Sequence, residues 1–130
     1  MRQLEILADR FDASVEALPE IRREALERAG RGLLSTVRGR TGGTGKVQSW
    51  QELHMGSRGG YAAVRPKAGT FYRGYAAGYV TNAIENGHRT RSGGRAAGKH
   101  MYLRSQADAV RLQNAARDEI VRCLAERLED

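Results

Sequence analysis

The chain has 130 residues with a single cysteine, 40% hydrophobic and 6% aromatic residues, 16 glycines and a net charge of +7. That length suits one domain whose core buries roughly two-thirds of the unfolded surface. A lone thiol excludes an intrachain disulfide framework, and the absence of a long apolar run leads us to expect a soluble chain that folds in a reducing cytoplasm.

From the N-terminus, Leu4, Leu7, Phe11, Val15 and Leu18 recur at helical steps and predict a short amphipathic helix. Pro19 favours a fresh start, and Ile21, Ala25, Ala29, Leu33 and Val37 then mark a longer second helix, with Gly30 and Gly32 permitting close packing. The run GRTGGTGK (39–46) predicts a flexible loop. VQSWQELHMG, SRGG and YAAVRP read as strand, turn and strand, with Val47, Leu53 and Met55 on one face and Trp50 on the other. GYVTNAI (78–84) is a third strand candidate, rich in β-branched and aromatic residues. Ser105 and Asp108 have capping-box spacing, and Leu112, Ala116, Ile120, Cys123, Leu124 and Leu128 form the stripe of a C-terminal helix. The expectation is one α+β domain over 1–130: helical to 40, a basic glycine-rich segment of small antiparallel sheet and long loops over 41–104, and a C-terminal helix over 105–130.

Charge follows the same division. Residues 1–30 carry five basic and seven acidic side chains, and 105–130 carry four and six. Residues 31–104 carry thirteen basic against two acidic, Glu52 and Glu85. A positive field so concentrated points to a polyanion nearby.

Motifs for chemistry are weak. GGRAAGKH (93–100) nearly spells a P-loop, but His100 stands where a hydroxyl must hold Mg²⁺, so no nucleotide site is expected. His54, His88, His100 and Cys123 lack metal-ligand spacing. Glu85 and His88 could form an acid–base pair only if the fold turned them together. We therefore expect no catalytic residue, metal or cofactor. Tyr72, Tyr75 and Tyr79 around Arg73 suit base stacking, though packing into the sheet or a subunit contact is the favoured reading. Arg89, Arg91, Arg95 and Lys99 on a glycine-rich tether are the polyanion candidates, set against a plain solvated loop.

Several stretches together resemble one family. TGKVQSW, with Thr44, Gly45, Ser49 and Trp50, resembles the segment after the long helix in small tailed-phage neck proteins, the head–tail joining or tail-completion proteins also called minor tail components. VTNAIENGHRTRSGG, with Asn82, Glu85 and Gly87, resembles the segment leading into their basic loop, and GKHMYLRSQADA the entry to their last helix. The resemblance covers residues 1 to 128 and departs over Gly98 to Tyr102, where many members carry Arg-Pro-Phe. It implies a non-catalytic virion subunit, assembled in the bacterial cytoplasm into a sixfold ring of its own copies around the DNA path. Its further partners would be connector or stopper and tail-tube or terminator proteins, with transient DNA contact and no membrane. The competing expectation is a small basic nucleic-acid-binding module of bacterial origin.

Overall fold

The computed structural model describes residues 2–41 and 45–129. The elements are α1 (Arg2–Thr41), α2 (Lys46–Trp50), β1 (Gln51–Met55), a 3-10 turn (Ser57–Gly59), β2 (Ala62–Pro66), β3 (Phe71–Tyr72) and β4 (Tyr75–Ala76). They continue with α3 (Ala77–Asn86), β5 (Gly87–Arg89), β6 (Arg95–Ala97), α4 (Met101–Arg104) and α5 (Gln106–Glu129). The fold is α+β: each pair β1–β2, β3–β4 and β5–β6 is a separate antiparallel two-stranded ladder.

The first helix runs unbroken through Pro19, where the sequence predicts a break. Tertiary packing overrides the local cost of about 3 kcal/mol. The helix α5 lies antiparallel along α1 on both sides of the proline. Arg10 donates to the carbonyls of Leu128 and Glu129, Arg28 pairs with Glu119, and Arg40 pairs with Asp108 at 2.6 Å. Pro19 and Val15 are both exposed, so the carbonyl that loses its helical donor can be hydrated.

The hairpin β1–β2 forms as expected, with Leu53 opposite Val64 and Met55 opposite Ala62. It packs on α1 where Gly30 leaves room: a Cβ there would meet a Leu53 methyl at 2.5 Å and the Ala62 Cβ at 3.1 Å. At Gly32 a Cβ would touch Leu112 of α5 at 3.3 Å. Val47 and Trp50, expected on the strand, lie instead on the short helix α2. Gly45 starts it in a left-handed conformation (φ 84°), and the Ser49 amide and hydroxyl donate to the carbonyls of Gly45 and Lys46.

The third predicted strand is the helix α3. Its buried residues, Ala77, Thr81 and Glu85, recur every four positions, so one helical face is covered where a strand would bury alternate residues. β-Propensity yields to that packing. The expected capping box at Ser105 also does not form. Ser105 has αR geometry within a helical run, and its hydroxyl donates to the Met101 carbonyl while accepting from Arg40. An N-cap needs extended backbone, which α4 does not leave.

The core is thin. Ile21, Ala25, Val37, Ala77, Met101 and Ala116 are its buried apolar residues among those described, matched by as many buried polar ones. Among the described residues no helix is long and apolar enough to cross a membrane.

Candidate nucleic-acid interface

The segment expected as a long loop is a hairpin arm. β5 and β6 pair Gly87 with Ala97, His88 with Ala96 and Arg89 with Arg95. The turn closes through Thr90 N–H to the Gly94 carbonyl at 2.9 Å and Gly93 N–H to the Thr90 carbonyl at 3.1 Å. Gly93 takes φ 86°, a conformation that favours glycine. The arm thus carries Arg89 directly opposite Arg95, with Arg91 in the turn, and all three are exposed.

Among the described residues no carboxylate forms an ion pair with them. Every ion pair among the described residues lies within α1, within α5 or between the two, and none includes a cation from Lys46 to Arg104. Like charges opposite one another on a ladder are destabilising, by an amount under about 1 kcal/mol, which an anion lying between them would relieve.

Lys99 is placed apart from these arginines. Its Nζ donates to the Thr41 carbonyl at 2.9 Å, satisfying an orphan acceptor at the C-terminus of α1. Of the residues that carry the family resemblance, Thr44 lies outside the described residues. Gly45 and Ser49 build the start of α2, and Trp50 packs its ring 5.9 Å from that of Tyr72. Asn82 is exposed on α3.

Glu85 and Gly87 belong to a node beneath the arm whose contacts the sequence does not announce. The Glu85 carboxylate, 8% exposed, accepts the amides of Tyr102 at 3.0 Å and Leu103 at 3.1 Å, so it caps the start of α4. The backbone of 98–100 lies against the end of α3: Lys99 N–H donates to the Ile84 carbonyl at 2.8 Å and His100 N–H to that of Glu85 at 3.1 Å. Gly87 (φ 91°) and Gly98 permit this approach. The P-loop reading is thereby answered. The amides a phosphate would need at the start of α4 already hold a carboxylate, which would repel one.

The same geometry separates Glu85 from acid–base work with His88. Both carboxylate oxygens are held by backbone amides, and the exposed His88 ring places Nδ1 3.4 Å from the Ala83 carbonyl. Among the described residues no three His, Cys, Asp or Glu side chains gather. A shallow hollow of about 330 Å³ between α1, β2 and α5 is lined mostly by apolar side chains such as Leu26, Leu33 and Leu112.

Tyr102 completes the node. Its hydroxyl donates to Gln51 Oε1, and Gln51 Nε2 reaches the Val47 carbonyl at 3.3 Å and Thr81 Oγ1 at 3.5 Å. Burial, then the Glu85 charge, pushes the phenol from its usual 10.0 up to about 12. A raised folded pKa means that this stabilisation is whole below pH 10 and is lost as pH rises towards 12. Tyr102→Phe is expected to remove a phenolate transition near pH 12 from the absorbance titration. It should also cost about 1 kcal/mol in urea unfolding, because Gln51 loses its donor.

Against protein-family models, characterised proteins and solved structures alike, the chain has no match. Function must therefore be argued from the arm, the node and the surface around them.

Proposed function

We propose that the chain is a structural subunit of a tailed-phage or prophage neck, one copy of a ring around the DNA path that takes part in tail completion and head–tail joining. The observation that carries this reading is the hairpin arm, with Arg89, Arg91 and Arg95 exposed and without a carboxylate partner among the described residues. Arginines on a backbone arm without base-reading motifs attract phosphates without regard to sequence, as passage of DNA requires. The thin core supports it too, since ring neighbours would cover apolar surface that one copy leaves open. In this role the chain has no catalytic residue and no cofactor. It meets copies of itself in a sixfold ring, a connector or stopper on one side and a tail-tube or terminator protein on the other. Assembly takes place in the bacterial cytoplasm and the product is part of the virion.

A second reading, a small basic nucleic-acid-binding module, draws on the exposed Tyr75–Tyr79 stack, centroids 5.4 Å apart, next to Arg73. Fluorescence anisotropy with a random duplex of about 20 base pairs separates the two. The neck subunit is expected to bind weakly, with Kd no tighter than the order of 10⁻⁴ M at about 150 mM salt, so that DNA is released there. Replacing Arg89, Arg91 and Arg95 together by Ser should flatten the salt slope by about 3. Sub-micromolar binding that persists at about 150 mM salt would instead favour the module. On the positive side, the protein mixed with connector and tail-tube proteins from its own phage should give rings in negative-stain electron microscopy. A protein that ignores every such partner overturns the neck reading.

A further inference from the structure

Two exposed surfaces of the molecule are complementary, each having what the other lacks. The first lies on the N-terminal half of α1. Leu4, Leu7, Phe11 and Val15 share one helical stripe and are all exposed, Phe11 by 57%. Arg10 meets the last carbonyls of α5, so the turns before it run past the end of that helix. Beside the apolar stripe, about a third of a turn away, Glu5, Asp9, Asp12 and Glu16 repeat at the same spacing. All four are exposed, and none belongs to an ion pair among the described residues.

The second surface is aromatic and basic. Tyr72 and Tyr75 are cross-strand partners on the β3–β4 ladder. Tyr75 stacks on Tyr79 of α3, and these two are 57% and 65% exposed. Trp50 packs on Tyr72, with Lys46 4.4 Å and Arg73 5.2 Å from the Tyr72 ring centre. Lys67, whose amide donates to the Trp50 carbonyl, adds a third exposed cation.

One copy cannot join its own two surfaces. The aromatic face is tied to the C-terminal end of α1, where Gln48 of α2 donates to the Arg38 carbonyl. About 30 residues of helix, some 45 Å at 1.5 Å per residue, separate that end from the middle of the apolar stripe.

We propose that the acidic, apolar face of α1 docks on the Trp50–Tyr72–Tyr75–Tyr79 face of a second copy of this protein. Charge complementarity selects the occupant: four carboxylates flank one apolar surface and three cations rim the other. The contact joins different surfaces on the two copies, so it is heterologous and propagates until a rotation closes it. The inference deepens the ring reading and rests on it only for that closure.

The test is a charge exchange read by sedimentation equilibrium. The helix-face variant carries Asp9→Lys, Asp12→Lys and Glu16→Lys, and the aromatic-face variant carries Lys46→Glu, Lys67→Glu and Arg73→Glu. All six positions are exposed, and circular dichroism checks that both variants fold. The parent is expected to associate, each variant alone to sediment as a monomer, and the equimolar mixture to recover the parent mass. A parent that is monomeric at about 100 μM overturns the contact, that concentration being well above what a micromolar contact needs. A parent whose association survives both sets of substitutions also overturns it but leaves a ring by other surfaces intact. Recovery as open filaments or closed pairs keeps the contact and removes the ring. Loss of DNA binding in the aromatic-face variant, with unchanged mass, assigns that face to nucleic acid and overturns the proposal.

Discussion

Gly98→Ala is expected to destabilise the protein by about 3 kcal/mol or more, a fall in Tm on the order of 10 °C. The added Cβ would press on the Glu85 carbonyl oxygen and would lie 2.8 Å from the Asn86 carbonyl carbon and 3.0 Å from the Gly87 nitrogen. All three atoms are backbone, so no side chain can rotate aside. The segment 98–100 must move off the end of α3, stretching the bonds from Lys99 to Ile84 and from His100 to Glu85. Lys99 would be drawn from Thr41 with it, which loosens the C-terminus of α1 as well. Gly39→Ala is the control of opposite sign. Gly39 lies in α1 with nothing within 4 Å of a Cβ, so alanine there should add about 0.5 kcal/mol. Thermal unfolding of the two variants beside the parent decides the matter. If both alanines behaved alike, the close approach at Gly98 would be wrong.

That glycine shows where the sequence was legible and where it was not. The stripes of α1 and α5 could be read because each repeats over many turns, although Pro19 divides that of α1 into two expected helices where the structure has one. The β1–β2 hairpin was legible from its glycine-rich turn, and Gly30 from its place on a packed stripe. In α3 the local composition of Tyr79, Val80, Thr81 and Ile84 speaks for a strand, while the four-residue spacing of Ala77, Thr81 and Glu85 speaks for a helix. Over so short a segment composition outweighs three positions, and the packing partner that reverses the balance lies elsewhere in the chain. Gly93 and Gly98 have the spacing of a phosphate loop, which His100 excludes, and the sequence places both on one long loop. The fold gives them separate tasks, a hairpin turn and a backbone crossing. The basic arm was legible in its charges, and its pairing of Arg89 with Arg95 was not, because register depends on where Gly87 anchors the ladder. Glu85 was marked by the family resemblance and by its rarity as an acid in a basic segment. Its role was hidden because the amides it caps lie seventeen and eighteen residues further on.

Replacing Glu85 is the other change with a large expected effect. Glu85→Ala leaves the Tyr102 and Leu103 amides without acceptors at a part-buried helix start and should cost about 2–3 kcal/mol. Glu85→Gln keeps one acceptor oxygen and loses the charge, so a cost of about 1.5 kcal/mol is expected. Urea unfolding ranks the two. The titration of Tyr102 supplies a readout that general damage to the fold does not mimic. Burial is the larger reason the phenol is pushed up to about 12, and the Glu85 charge is the second. In a folded Glu85→Gln protein the second cause is gone, so the late phenolate transition should move down while burial still holds it above 10.0. The interval over which alkali weakens the fold narrows accordingly, because stability is lost only between the unfolded and folded pKa values. An unmoved transition would mean that Glu85 does not face Tyr102 as described. The arm bears on function in the same experiment. β5 and β6 begin and end at this node, so Glu85→Gln should leave Arg89 opposite Arg95 and the salt slope of DNA binding close to the parent. Glu85→Ala, by freeing the start of α4 and the backbone of 98–100, should weaken DNA binding with no arginine altered. That separation is what a positioning carboxylate gives, because glutamine still offers an acceptor to the amides of Tyr102 and Leu103 and alanine offers none.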